Sequence, residues 1–287
     1  MTTTNPVPLA LWPVAQTSAQ YQRAGRYHPD SSAHPAKMLP ELARRIVSEF
    51  SPTGGLVVDP MCGSGTTLVE AARLGRRAVG LELEERWAAL ARRNLAHALG
   101  AQARLAEVRT GDATTMARSL SDVSGAVDLV CTSPPYATDV GVLDRANWGS
   151  GGGLCPNSAR NYSANRANLG HARGRAYRAA LTLTYTNCAV LLREGGLLVV
   201  VTKQSRSEGR SLDLAGLTVA LARAAGLSYI GHAVALHAAV RGEALVARPS
   251  FWQLVKVRRF LSAGEPAHLP VHEDVLVFSR HGGDGAS

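Results

Sequence analysis

Two short segments carry side chains whose types and spacing could do chemistry. In Val57-Val58-Asp59-Pro60-Met61-Cys62-Gly63-Ser64-Gly65-Thr66-Thr67, an apolar strand runs into a glycine-rich turn and a helix start. Gly63 and Gly65 permit tight backbone geometry, and Ser64, Thr66 and Thr67 can donate hydrogen bonds near the helix N-terminus. Such a turn lets backbone amides approach a cofactor, and it lacks the Gly-Lys-Ser/Thr ending of a phosphate-binding P-loop. In Cys131-Thr132-Ser133-Pro134-Pro135-Tyr136, a second apolar strand ends in a hydroxyl, two rigid carbonyls and an aromatic face. An exocyclic amine is a poor nucleophile because its lone pair is delocalised into the base. Ser133 and the Pro134 carbonyl can accept its hydrogens, and Pro134 and Pro135 stiffen the loop so that positioning costs less entropy. Tyr136 can stack on an extruded base, a contact worth about 1–3 kcal/mol.

Two carboxylates complete the constellation. Glu82 ends the strand after the glycine turn, where a carboxylate can bind the two hydroxyls of a ribose, in dinucleotide and adenosyl cofactors alike. Asp112, in Gly111-Asp112-Ala113 after the third strand, is available for an adenine amino group.

Asp59-Pro60-Met61-Cys62-Gly63-Ser64-Gly65-Thr66-Thr67 resembles motif I of the amino-methylating DNA methyltransferases, the N4-cytosine and N6-adenine enzymes. Met61 stands where those enzymes usually have an aromatic residue. Ser133-Pro134-Pro135-Tyr136 resembles their motif IV, and His34-Pro35-Ala36-Lys37-Met38 their motif X. The resemblance covers about residues 31–280. It implies S-adenosylmethionine as cofactor, held by His34, Lys37, Asp59, Met61, Gly63, Ser64, Gly65, Thr66, Glu82 and Asp112. It also implies direct methyl transfer at Ser133–Tyr136, with no metal and no covalent enzyme intermediate. Within this superfamily Ser-Pro-Pro-Tyr goes mainly with N4-cytosine, whereas Asp or Asn at its first position is more typical of N6-adenine. DNA cytosine N4 is therefore the expected target and adenine N6 the nearest alternative. An RNA amine is also compatible, because the motif contacts the base and not the sugar. The order X, I, IV looks circularly permuted relative to the beta group, whose wording the motifs share. A cofactor-binding nucleic-acid module without catalysis is the alternative from a different class. Carbon-5 cytosine methylation is disfavoured: it needs a nucleophilic cysteine, usually after proline, and Cys155-Pro156 has the reverse order.

Alternating strands and helices must position these residues. Strands are expected at Leu56–Asp59, Arg77–Leu81, Leu105–Arg109 and Val127–Thr132, with helices at Met38–Phe50, Thr66–Leu74 and Glu84–Leu99 between or before them. A helix at Ala179–Leu192 and strands at Leu197–Thr202, near Tyr229–Leu236 and at Val275–Ser279 follow. This βα repetition predicts an α/β fold, a seven-stranded Rossmann-like sheet with six parallel strands and one antiparallel. Residues 1–30 read as an extended arm, 31–280 as the methyltransferase domain and 281–287 as a disordered tail. Two stretches interrupt the rhythm, at 137–178 and 241–270, and read as recognition inserts. Arg145, Arg160, Arg166, Arg173 and Arg175 in the first, and Trp252 in the second, are the candidate nucleic-acid contacts. The target amine lies inside a duplex, so the base must flip out or already be unpaired.

Composition agrees with a nucleic-acid partner. The 287 residues carry 31 Lys and Arg against 22 Asp and Glu, a formal charge of +9, which favours polyanions. The four cysteines form no metal-ligand pairs; Cys131 and Cys188 are assigned to the core. No run approaches membrane-spanning length, and a soluble cytoplasmic protein is expected.

Overall fold

The computed structural model describes residues 8–135, 163, 165–207, 210–249 and 251–281. Its strands are β1 (Leu11–Pro13), β2 (Leu56–Asp59), β3 (Arg77–Glu82), β4 (Ala106–Thr110), β5 (Val127–Thr132), β6 (Leu192–Thr202), β7 (Ser205–Ser207), β8 (Arg210–Leu212), β9 (Ser228–Leu236), β10 (Ala238–Arg241), β11 (Ala244–Ala247) and β12 (His272–Ser279). The helices are α1 (Ala19–Arg23), α2 (Pro40–Phe50), α3 (Thr66–Arg73), α4 (Glu85–Leu99), α5 (Met116–Ser119), α6 (Gly174–Leu191), α7 (Leu214–Ala224) and α8 (Phe251–Ser262).

The main sheet runs β1-β9-β12-β6-β5-β2-β3-β4. Only β12 is antiparallel to its neighbours β6 and β9; the other pairings in this sheet are parallel. β2 reads Leu-Val-Val-Asp and is buried throughout, as a parallel strand covered on both faces must be. Side chains alternate between two cores. Val57, Leu129 and Val199 face α2, α3 and α4, whereas Val58, Val130 and Leu198 face α6 and α7.

Two expectations change. The sheet has eight strands among the described residues, because β1 pairs in parallel with β9. The stretch read as an extended arm holds this strand, α1 and a 3-10 turn at Pro29–Ala33. Trp12, Val14, Ala15 and Tyr27 are buried in the α2–α4 core, and that burial holds a proline-rich segment without helical rhythm in place. The helix expected at Ala179–Leu192 begins earlier, at Gly174, and β6 extends back to Leu192. The second insert holds β11, which pairs with the β10 strand leading into it, and α8. Within it, Arg241 donates to the Gln16 side chain (2.9 Å) and to the Gln16 carbonyl (2.8 Å).

Candidate active site

The two chemical segments, far apart in the chain, meet because β2 and β5 are hydrogen-bonded neighbours, Val57 opposite Leu129 and Val58 opposite Val130. Parallel pairing puts the glycine turn and Ser-Pro-Pro at the same carboxyl edge, where open α/β sheets bind their ligands.

At that edge β2 ends in Asp59, which is buried and accepts the Met61 N–H at 3.2 Å. Burial pushes its carboxyl up to about 6, against a hydrogen bond from Thr67. The chain then turns through Gly63 (φ +53°) and Gly65 (φ +77°), conformations that favour glycine. A Cβ on Gly63 would lie 2.9 Å from His34 Nε2, so the turn and the imidazole fit only without one. Met61 is half-buried and packs on the α6-side core. Ser64 and Thr66 are buried.

Glu82 ends β3 and is 5% exposed. One carboxylate oxygen accepts the Gly63 N–H at 2.8 Å and the other the Glu84 N–H at 3.0 Å. Burial raises its carboxyl to about 7 although both amides favour the charged form. Asp112, after β4, accepts the Thr114 N–H and hydroxyl, each at 2.8 Å, so its carboxylate is oriented by the turn that follows.

His34 is buried edge-on against Trp87, ring centroids 4.7 Å apart. Burial, then Lys37, drives its imidazole down to about 3, so it is neutral. Lys37 donates to the His34 carbonyl, and burial lowers its ammonium to about 8.

On the other side of the edge, Ser133 and Pro135 are half-buried and Pro134 is buried. Tyr177 of α6 donates its hydroxyl to the Pro135 carbonyl at 3.1 Å. Arg173 and Arg175, flanking the start of α6, and Arg166 before it are exposed. Tyr136, Arg145 and Arg160 lie outside the described residues, as does most of the first insert. Trp252 falls in α8. One strand further along, Lys203, Gln204, Asp213, His272 and Asp274 line a cleft of about 350 Å³.

Three residues that their sequence context does not single out hold this edge together. Asn94 of α4, fully buried, donates to the Ser64 carbonyl (2.7 Å) and the Ser31 hydroxyl (3.2 Å) and accepts the His28 N–H (3.0 Å). Arg23 bridges the Met38 carbonyl (2.6 Å) and the Thr66 hydroxyl (3.0 Å). Glu70 of α3 is buried between Arg26 and Tyr27, at 2.9 and 2.7 Å. The partners lie 15 to 66 residues apart, and a buried polar residue at a helical core position is the one available signal.

Residues 2–93 match the family model described as DNA methylase, of the N6 and N4 enzymes. Over that segment, about a third of the chain, it is similar to the N6 and N4 DNA methylases. The wider comparisons agree. A tRNA (guanine(10)-N2)-dimethyltransferase of Methanocaldococcus jannaschii is 32% identical over 41% of this chain and 34% of its own length. The type II methyltransferase M.ScaI of Streptomyces caespitosus is 32% identical over 27% of this chain and 25% of its own. The type II methyltransferase M2.DpnII of Streptococcus pneumoniae is 40% identical over 22% and 23%. The chain thus spans about a third or less of the length of these relatives. A solved geranyl diphosphate methyltransferase in complex with SAM shares the fold, with TM-score 0.53 and 13% identity over 94% of this chain and 96% of that one. So does the [4+2]-cyclase SpnF, TM-score 0.50 and 15% identity over 90% and 88%, which shows that the fold alone does not name a reaction.

The cofactor of the N6 and N4 methylases that this chain resembles is S-adenosylmethionine, and the residues present fit it. Each Glu82 oxygen accepts one amide, and a carboxylate has about four lone-pair sites, so two sites remain for ribose hydroxyls. Asp112 follows the next strand over, and the left-handed turn at Gly63 and Gly65 keeps side chains out of the approach. Among the described residues no group of three or more His, Cys, Asp or Glu could hold a metal ion, and no helix is long and apolar enough to cross a membrane.

Proposed function

We propose that this protein transfers a methyl group from S-adenosylmethionine to an exocyclic amine of a nucleic-acid base, with cytosine N4 in DNA as the target. The observation that carries the reading is the pairing of β2 with β5, which brings the cofactor turn and Ser133-Pro134-Pro135 to one edge. The bound cofactor supplies an electrophilic methyl on sulfur. Glu82 and Asp112 hold its ribose and adenine, and the turn at Gly63–Gly65 lets it approach the backbone. His34, Lys37, Asp59, Met61, Ser64 and Thr66 shape the site around it.

Ser133 and the Pro134 carbonyl accept the two amine hydrogens, which localises the nitrogen lone pair. Tyr177, by fixing the Pro135 carbonyl, holds the loop rigid, so little ordering remains for the substrate to supply. Tyr136 stacks on the extruded base. Arg145, Arg160, Arg166, Arg173, Arg175 and Trp252 contact the nucleic acid. Ser133 favours cytosine over adenine on the strength of the motif resemblance. The likeness to tRNA guanine N2-methyltransferases supports a second reading, a guanine amine in RNA.

One experiment separates them. The protein is incubated with labelled S-adenosylmethionine and duplex DNA, single-stranded DNA or tRNA, and the nucleosides are resolved by mass spectrometry. N4-methylcytosine in DNA is expected. N6-methyladenine would keep the chemistry and change the base, and label confined to N2-methylguanine in tRNA would favour the second reading. Cofactor binding without transfer to any of them would turn the assignment toward a non-catalytic module.

A further inference from the structure

The returning end of the first insert does not behave as a solvated recognition loop. Ser163 is 2% exposed, and its hydroxyl donates to a carboxylate oxygen of Glu84. The same hydroxyl accepts the Asn165 N–H at 3.0 Å, and the Ser163 carbonyl lies 3.1 Å from His171 Nε2. Asn165 and Asn168 turn their side-chain oxygens onto the N–H groups of Ala167 and Gly170, at 3.0 and 2.9 Å. These asparagines fold the segment locally, as side chains of this type do in turns, and Leu169 anchors it in the α6-side core. Glu84, the residue Ser163 holds, presents its own N–H to Glu82. A continuous polar path therefore runs from Ser163 through Glu84 to Glu82 and on to Gly63.

We propose that Ser163 is a positioning residue for the cofactor. By holding Glu84 it fixes the turn that aims the Glu82 carboxylate, so the insert's returning end belongs to the cofactor site as well as to nucleic-acid recognition. The inference rests on the function proposed above, in that it takes Glu82 to bind the cofactor ribose.

Calorimetric titration of the full chain with S-adenosylhomocysteine, and separately with a single-stranded oligonucleotide, tests it. Ser163→Ala is expected to raise the Kd for S-adenosylhomocysteine roughly tenfold, the size of one hydrogen bond to a charged group. Oligonucleotide affinity should stay at the wild-type value, and Ser163→Thr should retain cofactor affinity. Tm should fall by no more than about 2–4 °C as the Glu84 carboxylate and the Asn165 N–H turn to solvent. Glu84→Ala should weaken the cofactor as well, and adding Ser163→Ala to it should cost nothing more. An unchanged Kd in Ser163→Ala would overturn the proposal while leaving the proposed function intact. An equal loss of both affinities with a lowered Tm would overturn it too, since the segment would then only support the fold. Wild-type protein that fails to bind S-adenosylhomocysteine would remove both this inference and the function beneath it.

Discussion

At the end of β3 both oxygens of Glu82 already accept backbone amides, and the turn they hold is tied from behind by Asn94 and Arg23. At the end of β5 the described anchor of Ser-Pro-Pro is the Tyr177 hydroxyl on the Pro135 carbonyl, and the arginines nearby are exposed to solvent. On the proposed function, the cofactor edge is complete before its ligand arrives, and the substrate edge presents half of a set of contacts whose other half is a polyanion. A site for one small molecule can be built from a strand, a turn and a helix. One for a long polymer needs reach and exposed charge.

Variants at each edge should break this comparison in different ways. The largest effect is expected for Ser133→Ala, which removes an acceptor from the reacting amine: transfer should fall by about 10² to 10³, with the Kd for S-adenosylhomocysteine unchanged, as single-turnover kinetics and calorimetry would read. Glu82→Ala should do the opposite, raising that Kd by about a hundredfold as two hydroxyls are deprived of a charged acceptor. Comparable losses of cofactor affinity in both variants would erase the distinction between the edges.

Arg166→Ala with Arg173→Ala and Arg175→Ala should weaken oligonucleotide binding across all sequences. The salt dependence should become shallower by about 0.7 in log–log slope for each phosphate of a single strand that is no longer neutralised. A change in base preference alone would instead make these arginines base readers. Asn94→Ala leaves the Ser64 carbonyl and the His28 amide without their partner and should cost about 2–3 kcal/mol of stability in urea unfolding.

The last test is the dependence on pH. In the proposed site the ribose hydroxyls need the ionised Glu82, so cofactor affinity should rise as pH passes through about 7. The stability of the free protein runs the other way. A carboxyl raised from 4.5 to about 7 adds stability that is fully present below 4.5 and lost as pH climbs through 7. Tm measured with and without S-adenosylhomocysteine between pH 5 and pH 8 (about three units of the scale, ample for this transition) should therefore diverge, and Glu82→Gln should flatten both curves.

The cofactor edge is the legible part. Asp59, Gly63, Gly65 and Glu82 announce themselves because a strand, a tight turn and a strand-end carboxylate are local features, and the runs Leu56–Asp59 and Val127–Thr132 place them. What holds that edge is not legible. Leu11–Pro13 is too short and too proline-flanked to read as a strand, and it exists because Val234 to Leu236 offer it a partner at the sheet edge. Asn94 and Ser163 read as an ordinary helix residue and an ordinary loop residue. Their roles depend on groups 30 and 79 positions away. Asn165 and Asn168 resemble base readers by type, and local backbone amides claim their oxygens instead.

The pairing of Leu11 with Val234 sets an order of events in synthesis. The glycine turn, α3 and α4 leave the ribosome early, but the strand that completes the first thirty residues has no template until β9 has emerged. During translation the clamp that Arg23, Arg26 and Tyr27 place on α3 is therefore held at first only by the burial of Trp12, Val14 and Ala15, without the strand pairing. A nascent chain halted before β9 should hold its N-terminal segment more loosely, so the clamp on α3 gains its full anchor only once β9 has been made.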